Sequence, residues 1–164
     1  METIKKDDLT QRAMDRALRY LGYRPRSESE VRNRLKRYGY EADIVAVIIY
    51  RLRNSGLIDD TAFAMSWREN RANFKPRSSR LMAKELVQKG ISSDIITEVT
   101  EDIDDETEAY RAGCRKAKSF DKLDYPEFRK KLGAFLHRRG FDYEITKSTV
   151  DKLWQEKIRE DEND

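Results

Sequence analysis

The stretch Leu86-Val-Gln-Lys-Gly90-Ile91 has two counterparts in this chain, at a spacing of about 50 residues. The counterparts are Leu35-Lys-Arg-Tyr-Gly39-Tyr40 and Leu136-His-Arg-Arg-Gly140-Phe141. In each stretch a leucine stands four residues before the glycine, and a large apolar residue follows the glycine directly. A period of this length is typical of chains built from repeated supersecondary units.

The glycine of each stretch is expected to end a helix. Position C′ of a helix often takes a left-handed conformation, which a Cβ atom would penalise. In the Schellman arrangement the residue after the glycine packs against the residue that stands four positions before the glycine. We therefore predict three capping contacts, and an alanine at any of the glycines should cost on the order of 1 kcal/mol or more. The predicted contacts are Leu35–Tyr40 beside Gly39, Leu86–Ile91 beside Gly90, and Leu136–Phe141 beside Gly140.

The repeat extends in both directions from these glycines. Each glycine follows one of the chain's three prolines by 14 residues. Five residues after each glycine stands an isoleucine, and the residue directly before that isoleucine is an acid. An acid there suits the first turn of a further helix, because the helix dipole attracts negative charge. Apolar residues at helical spacing also precede each proline. The prolines are Pro25, Pro76 and Pro126, and the acid–isoleucine pairs are Asp43–Ile44, Asp94–Ile95 and Glu144–Ile145.

These patterns predict an all-α fold, an elongated and curved array of three tandem three-helix repeats with about nine helices and no sheet. The β-branched run 44–50 is the one stretch where a strand could form, but its counterparts are interrupted by polar residues, which favours helix. Ser27 and Glu30 have the spacing of a capping box. The predicted division is a flexible N-terminus over 1–10, repeats over 11–58, 59–105 and 106–159, and an acidic tail over 160–164.

The composition is compatible with several small cores. Charged residues make up 40% of the 164 residues, against about 25% in an ordinary soluble domain, yet the net charge is only +3. No apolar run approaches the roughly 20 residues of a membrane span. The first ten residues do not read as a secretory signal. A single cysteine permits no internal disulfide, which is typical of the reducing cytoplasm. We therefore expect a cytoplasmic protein and, from the short apolar runs, no membrane association.

Catalytic chemistry is not indicated. His137 lies among arginines at a predicted helix end with no orienting acid implied, and Cys114 lies on an apolar stripe. We expect no catalytic residue, no metal site and no cofactor. The acid cluster Glu101–Asp105 lacks the ligand pattern of a calcium loop and reads as a solvated connection. Asp59 and Asp60 read as the N-cap region of a helix.

Basic residues concentrate on the predicted capped helices. Such a stripe suits a phosphate backbone or an acidic groove in a protein. The alternative is that these side chains only solvate exposed helices and complement their dipoles. The candidate binding residues are Arg24, Arg26, Arg32, Arg34, Lys36, Arg37, Lys75, Arg77, Arg80, Lys84, Lys89, Arg129, Lys130, Lys131, Arg138 and Arg139.

Four motifs in order resemble those of the RecX family, bacterial regulators of the RecA recombinase. They are spread over roughly residues 11–155. The motif Gly56-Leu-Ile-Asp-Asp60-x-x-Phe63-Ala64 resembles the most recognisable one of the family. The others are Ala17-Leu18-x-Tyr20-Leu21 with Arg26-Ser27-x-Ser29-Glu30-Val31 and Leu35, then Glu85-Leu86-x-x-Lys89-Gly90-Ile91, and last Arg138-Arg139-Gly140-Phe141.

The resemblance implies tandem three-helix repeats that bind along the helical groove of a RecA–DNA filament. It implies inhibition of the recombinase, ATPase and coprotease activities of RecA, and so modulation of DNA repair, recombination and the SOS response. The expected partners are the RecA nucleoprotein filament and, more weakly and electrostatically, single- and double-stranded DNA, with the protein as a monomer. Two alternatives stay open: a helical-repeat protein that binds DNA independently of RecA, and a scaffold that binds other proteins.

Overall fold

The structure is a computed structural model that describes residues 2–162. Within that range the chain forms nine α-helices, one 3-10 turn over Lys118–Phe120 and no strand. The predicted all-α array of about nine helices is therefore confirmed. The helices are α1 (Glu2–Tyr23), α2 (Glu28–Arg37), α3 (Ala42–Asn54), α4 (Asp60–Phe74), α5 (Ser79–Gln88), α6 (Ser93–Thr100), α7 (Asp105–Ala117), α8 (Tyr125–Arg138) and α9 (Tyr143–Asp161).

The described residues at both ends of the chain belong to helices or to a helix cap. Residues 2–10, for which the sequence predicts a flexible segment, are part of α1. Pairing supports the helix there, because Lys6 Nζ lies 2.5 Å from Asp43 of α3 and Arg12 lies 2.9 Å from Asp8 one turn earlier. Of the expected acidic tail, residues 160 and 161 end α9, while residues 163 and 164 lie outside the described residues.

The helices are grouped into two compact units. One unit comprises Met1–Ser66 with Leu86–Ile96, and the other comprises Trp67–Glu85 with Thr97–Asp164. Helices α4, α5 and α6 each run from one unit into the other. The middle repeat predicted from the sequence therefore contributes residues to both units.

The core of the first unit is formed by α1, α2 and α3. Small residues of α1, Ala13 and Ala17, are buried against the apolar faces of the other two helices. The β-branched run 44–50 is helical, as predicted, because its packing outweighs the modest helix propensity of valine and isoleucine. The other buried residues of this core are Val31, Leu35, Ile44, Val45, Ile48, Ile49, Leu52 and Ile58.

The core of the second unit lies between α7, α8 and α9. Gly113 of α7 allows close helix contact, since a Cβ atom there would lie 2.6 Å from Leu153 Cδ1. Cys114 is partly buried against this core and is a packing residue. The buried residues of α7 are all small: Ala109, Ala112 and Gly113. The buried residues are Ala109, Ala112, Phe128, Leu132, Leu136, Phe141, Val150 and Leu153.

The three capped helices end in the predicted geometry. Gly39, Gly90 and Gly140 have φ of 82°, 74° and 90°. The residue after each glycine donates its N–H to the leucine carbonyl, over 3.4, 3.1 and 3.3 Å in chain order. A fourth cap of this kind, which the repeat pattern did not indicate, ends α3 at Gly56 with φ of 71°. There Leu57 N–H donates to the Leu52 carbonyl at 2.9 Å.

Helix starts also follow the sequence pattern. Ser27 Oγ accepts the Glu30 N–H at 3.2 Å and the Glu30 carboxylate accepts the Ser27 N–H at 3.1 Å, which completes the capping box. Asp59 Oδ1 accepts the Ala62 N–H at 2.9 Å, as an N-cap of α4 should. The side chain of Asp60 has a different role, described below.

Candidate interaction surface

The start of α2 contacts the end of α5 within the first unit. Ser27 is fully buried, and its Oγ donates a hydrogen bond to the Lys89 carbonyl at 2.6 Å. Gly90 lies against the same turn, because a Cβ atom there would meet Ser29 Cβ at 2.3 Å. This glycine therefore serves two purposes, the left-handed helix end and the close approach of α2.

The start of α5 contacts the end of α8 in the second unit in an equivalent way. Ser78 is buried, and its N–H donates to the Arg139 carbonyl at 3.0 Å. A Cβ atom on Gly140 would meet Ser78 Oγ at 2.4 Å and Leu81 Cβ at 2.6 Å. The repeated glycine thus again marks where one capped helix contacts the next.

Aspartates complete both contacts. Asp60 Oδ1 accepts the Glu28 N–H at the start of α2, over 2.8 Å. Asp105 accepts the Ser79 N–H at 2.7 Å and the Ser79 hydroxyl at 3.0 Å, at the start of α5. Each carboxylate binds orphan donors at the N-terminus of a helix that lies earlier in the chain.

The acid cluster 101–105 is not simply solvated, which corrects the sequence-based interpretation. Asp102 lies 2.5 Å from the Arg68 guanidinium, and Asp104 caps α7 by accepting the Glu106 N–H at 3.1 Å. Together with Asp105 on Ser79, three of these acids hold specific partners. The cluster positions α7 because these acids bind helix N–H groups and an arginine.

Three cations surround Glu30 in the first unit. Arg24 lies 2.7 Å, Lys89 3.4 Å and Arg26 4.0 Å from its carboxylate. Burial by itself raises the pKa of Glu30. The hydrogen bonds from Arg24 and the Ser27 N–H, with the charges of Lys89 and Arg24, outweigh burial and lower that pKa. The carboxylate is therefore an ionised centre that these cations neutralise.

A second carboxylate on α2 joins two helices. Glu28 accepts hydrogen bonds from Arg32, one turn further on at 2.7 Å, and from Arg53 at the end of α3. Burial raises the pKa of Glu28, but the hydrogen bonds and charges of both arginines lower it overall. Arg32 is thus an internal partner of the fold.

Glu85 plays the same part in the second unit. Its side chain is only 11% exposed. It accepts hydrogen bonds from Trp67 Nε1 at 2.8 Å and from Arg71 Nε at 2.9 Å, and it pairs with Arg77. Arg77 is a candidate binding residue that the structure places beside its own carboxylate. Glu85 itself was not singled out as a charged centre from the sequence.

The candidate basic residues therefore fall into two groups. Those of the first group contact groups of their own fold: Arg24, Arg26 and Lys89 at Glu30, Arg32 at Glu28, Arg77 at Glu85, and Arg139, whose guanidinium lies 4.9 Å from the Phe135 ring centre. Those of the second group have exposed side chains and are the better candidates for an intermolecular contact, although Arg34 also contacts the rings of Tyr20 and Tyr38 and Arg80 donates to the Gly140 carbonyl at 3.5 Å. The exposed group consists of Arg34, Lys36, Arg37, Lys75, Arg80, Lys84, Arg129, Lys130, Lys131 and Arg138.

A basic and aromatic face on α1 and α2 was missed from the sequence. It surrounds a cavity of about 450 Å³ in the first unit. Its α1 residues follow helical spacing, so an i, i+4 search for arginine and tyrosine on that helix could have found it. The residues that line it are Arg12, Asp15, Arg16, Arg19, Tyr20, Tyr23, Arg34 and Tyr38.

The remaining sequence candidates do not form a reactive centre. His137 is exposed in the last turn of α8, as expected. Among the side chains of residues 6–160 and 162 no cluster of histidine, cysteine and acidic residues has the composition to hold a metal ion. Over the same range no helix is both long and apolar enough to cross a membrane.

Comparisons with known proteins match the whole repeat array. Residues 13–52, 59–99 and 104–150 match the first, second and third three-helix domains of RecX in that order. The regulatory protein RecX of Prosthecochloris aestuarii is 35% identical over 147 residues, which cover 90% of this chain and 97% of the relative. RecX of Chlorobium phaeobacteroides is 37% identical over 144 residues, covering 88% and 95%.

The fold agrees with these sequence matches. The crystal structure of RecX from Lactobacillus salivarius superimposes with a TM-score of 0.74 at 23% identity, over 90% of this chain and 97% of that one. Three-helix domains in the same order, relatives above 30% identity over most of their length and a shared fold all point to one assignment. The chain belongs to the RecX family of regulatory proteins.

Proposed function

We propose that this protein binds in the helical groove of RecA–DNA filaments and inhibits the recombinase, ATPase and coprotease activities of RecA. The observation that carries the proposal is the ordered match of three RecX domains over residues 13–150. The role modulates DNA repair, recombination and the SOS response, in the cytoplasm, and requires no catalytic group of the protein itself.

The exposed basic residues support this role. Arg34, Lys36 and Arg37 lie on or just before the end of α2, and Lys130 and Lys131 lie in α8. A filament groove presents DNA phosphates and the acidic side chains of a protein, both of which attract such residues. The internally paired group, by contrast, stabilises the fold itself, and Lys89 of the second repeat pairs with Glu30 of the first.

Hydrolysis of ATP by RecA on single-stranded DNA tests the proposal directly. The rate should fall as the full-length protein is added, and the protein should sediment together with the filaments. An unchanged hydrolysis rate together with absence from the filament pellet would overturn the proposal.

Charge reversal tests the part played by the exposed basic residues. The double variant Lys130→Glu/Lys131→Glu should weaken filament binding by on the order of 10-fold, and its affinity should depend less on salt. The variant Lys118→Glu/Lys122→Glu is a matched control, since it makes the same charge change at exposed residues of the same unit. Equal effects of both variants would mean that net charge alone governs binding.

The two alternative functions give different results in the same assays. A DNA-binding protein that acts without RecA would bind DNA tightly whether or not RecA is present, with a log–log salt slope near −0.9 per duplex phosphate contacted. A scaffold for other proteins would leave RecA activity untouched by the protein and by its charge-reversal variants. Sedimentation equilibrium of the free protein tests the proposed monomer.

A further inference from the structure

The cavity on α1 and α2 combines positive charge with exposed aromatic rings. Of the side chains that line it, four are arginines, three are tyrosines and one is an aspartate. The aspartate, Asp15, accepts a hydrogen bond from Gln11 at 3.0 Å. Arg12 has a pairing partner in Asp8 at 2.9 Å, but both side chains remain mostly exposed. The cavity is therefore positively charged overall and open to solvent.

Two of the arginines are held against tyrosine rings. The Arg16 guanidinium lies 4.2 Å from the centre of the Tyr38 ring. The Arg34 guanidinium lies 5.3 Å from the Tyr20 ring centre and 5.0 Å from that of Tyr38. A guanidinium in contact with a ring still has N–H groups available for phosphate or carboxylate oxygens. These contacts restrain Arg16 and Arg34 beside the cavity before a ligand arrives.

The ring of Tyr23 is exposed to solvent. Tyr23 is the last residue of α1 and is 86% exposed. Tyr38, which follows α2, is 45% exposed. Large aromatic side chains displayed beside several arginines are typical of surfaces that bind single-stranded nucleic acid, where bases stack on rings and cations follow the backbone.

We propose that this face is a binding site for single-stranded nucleic acid, in which an unpaired base stacks on Tyr23 and the arginines hold the adjacent phosphates. The bases of a duplex are already stacked on each other, so the site selects single strands. This inference rests on the proposed function, because that function brings the protein into contact with DNA, and it adds a specific binding site to it. It goes beyond electrostatic attraction because it makes the affinity depend on the bases.

An acidic protein segment is the competing ligand. Its carboxylates could pair with the arginines, but it has no base that would stack on the exposed ring of Tyr23. The four arginines would attract either ligand equally, whereas the exposed tyrosine favours the nucleic acid. The test must therefore measure the contribution of the bases separately from that of the phosphates.

Fluorescence anisotropy with labelled oligonucleotides makes that separation. The full chain is titrated into oligothymidylate of about 15 nucleotides and into an abasic strand with the same number of phosphates. The thymidylate should bind about 5- to 150-fold more tightly than the abasic strand, the range expected for stacking of one base. A duplex of equal length should bind less tightly than the single strand.

Variants then assign the effect to the site. Tyr23→Ala should abolish the preference for thymidylate over the abasic strand, and Tyr23→Phe should retain it. Arg19→Ala should weaken binding of both strands. The matched control for the tyrosine is Tyr143→Ala, an exposed tyrosine of the second unit, which should leave the preference unchanged. The matched control for the arginine is Arg51→Ala, an exposed arginine of α3 outside the cavity, which should leave the affinity for both strands unchanged. Each variant should unfold at the wild-type denaturant concentration.

Several results would overturn the inference. Equal affinity for the thymidylate and abasic strands would exclude base stacking. A preference that survives Tyr23→Ala would place stacking elsewhere. Complete displacement of the thymidylate by polyglutamate at matched charge, together with equal affinity for both strands, would identify an acidic protein segment as the ligand.

The two proposals fail in distinguishable ways. A protein that inhibits RecA but binds free thymidylate no better than the abasic strand contradicts only the stacking site. A protein that binds thymidylate through Tyr23 but leaves RecA hydrolysis unchanged contradicts only the proposed function.

Discussion

Ser27 Oγ donates a hydrogen bond to the Lys89 carbonyl at 2.6 Å while the same oxygen accepts the Glu30 N–H at 3.2 Å. One hydroxyl therefore caps the start of α2 and binds the residue that follows α5. Both bonds are shielded from water, because Ser27 is fully buried. A serine that the sequence identifies as a local cap therefore also connects two repeats, through a residue 62 positions further along the chain.

Replacing Ser27 by alanine removes both hydrogen bonds. We expect Ser27→Ala to lower the free energy of unfolding by about 2 kcal/mol, the sum of a lost N-cap and a lost buried hydrogen bond. Urea unfolding followed by circular dichroism measures the loss. Ser148→Ala, at an exposed position of α9, should change the free energy by less than about 0.5 kcal/mol. A similar small change at Ser27 would show that neither bond contributes.

The repeated glycines should differ in their tolerance of alanine. Gly39 and Gly90 both have positive φ, but an added Cβ atom meets nothing within 4 Å at Gly39 and meets Ser29 Cβ at 2.3 Å at Gly90. Gly39→Ala should cost about 1 kcal/mol from backbone strain. Gly90→Ala should cost about 3 kcal/mol, because steric overlap with α2 adds to that strain. Equal costs in denaturant unfolding would mean that the contact with Ser29 relaxes freely.

Stability should depend on the ionisation of Glu30. Its pKa is lower in the folded chain than its ordinary value of 4.5, so the carboxylate adds stability at any pH above 4.5. That contribution disappears as the pH falls from 4.5 towards the folded-state pKa. The difference in unfolding free energy between wild type and Glu30→Gln should be largest near neutral pH and should shrink below pH 4.5. Glu98→Gln, an exposed site on α6, is the control, and a difference that is independent of pH would contradict the prediction.

Glu85 should be essential to the second unit. Glu85→Ala leaves Arg71, Arg77 and the Trp67 N–H without their shared acceptor, and we expect a loss of about 3 to 5 kcal/mol. Glu85→Gln should cost less, since its amide oxygen still accepts the Trp67 N–H. Fluorescence of Trp67 in a Trp154→Phe background follows the local environment during urea unfolding. Equal losses for alanine and glutamine would mean that the negative charge, and not hydrogen bonding, accounts for the whole effect.

Local patterns on the chain predicted much of the fold. The leucine, glycine and following apolar residue of each repeat specify a Schellman cap, because its backbone bonds involve residues only a few positions apart. The capping box at Ser27 and Glu30 and the N-cap at Asp59 are equally local. The same reasoning correctly favoured helix over strand for the run 44–50. In each case the deciding contacts lie within one or two turns of the chain.

The division of the basic residues could not be predicted in this way. From the sequence, Arg32 and Arg34 look alike, since each has a glutamate one turn earlier on the same helix, and Arg77 and Arg80 look alike too. The structure pairs Arg32 with Glu28 and Arg77 with Glu85, and leaves the side chains of Arg34 and Arg80 exposed. Which arginine meets a carboxylate depends on the direction each helix face takes in the folded chain. The charge pattern alone holds no information about that direction.

Patterns along the chain were enough to specify the helical repeat, the ends of its capped helices and the family whose motifs it shares. Folding in three dimensions was needed to show that Ser27 contacts Lys89, that Asp60 and Asp105 bind the starts of α2 and α5, and that arginines and tyrosines of two helices share one cavity. The difference lies in the range of the interactions. Caps and amphipathic stripes are set by neighbours along the chain, whereas buried ion pairs and binding faces require residues that are distant in sequence to be brought together by packing.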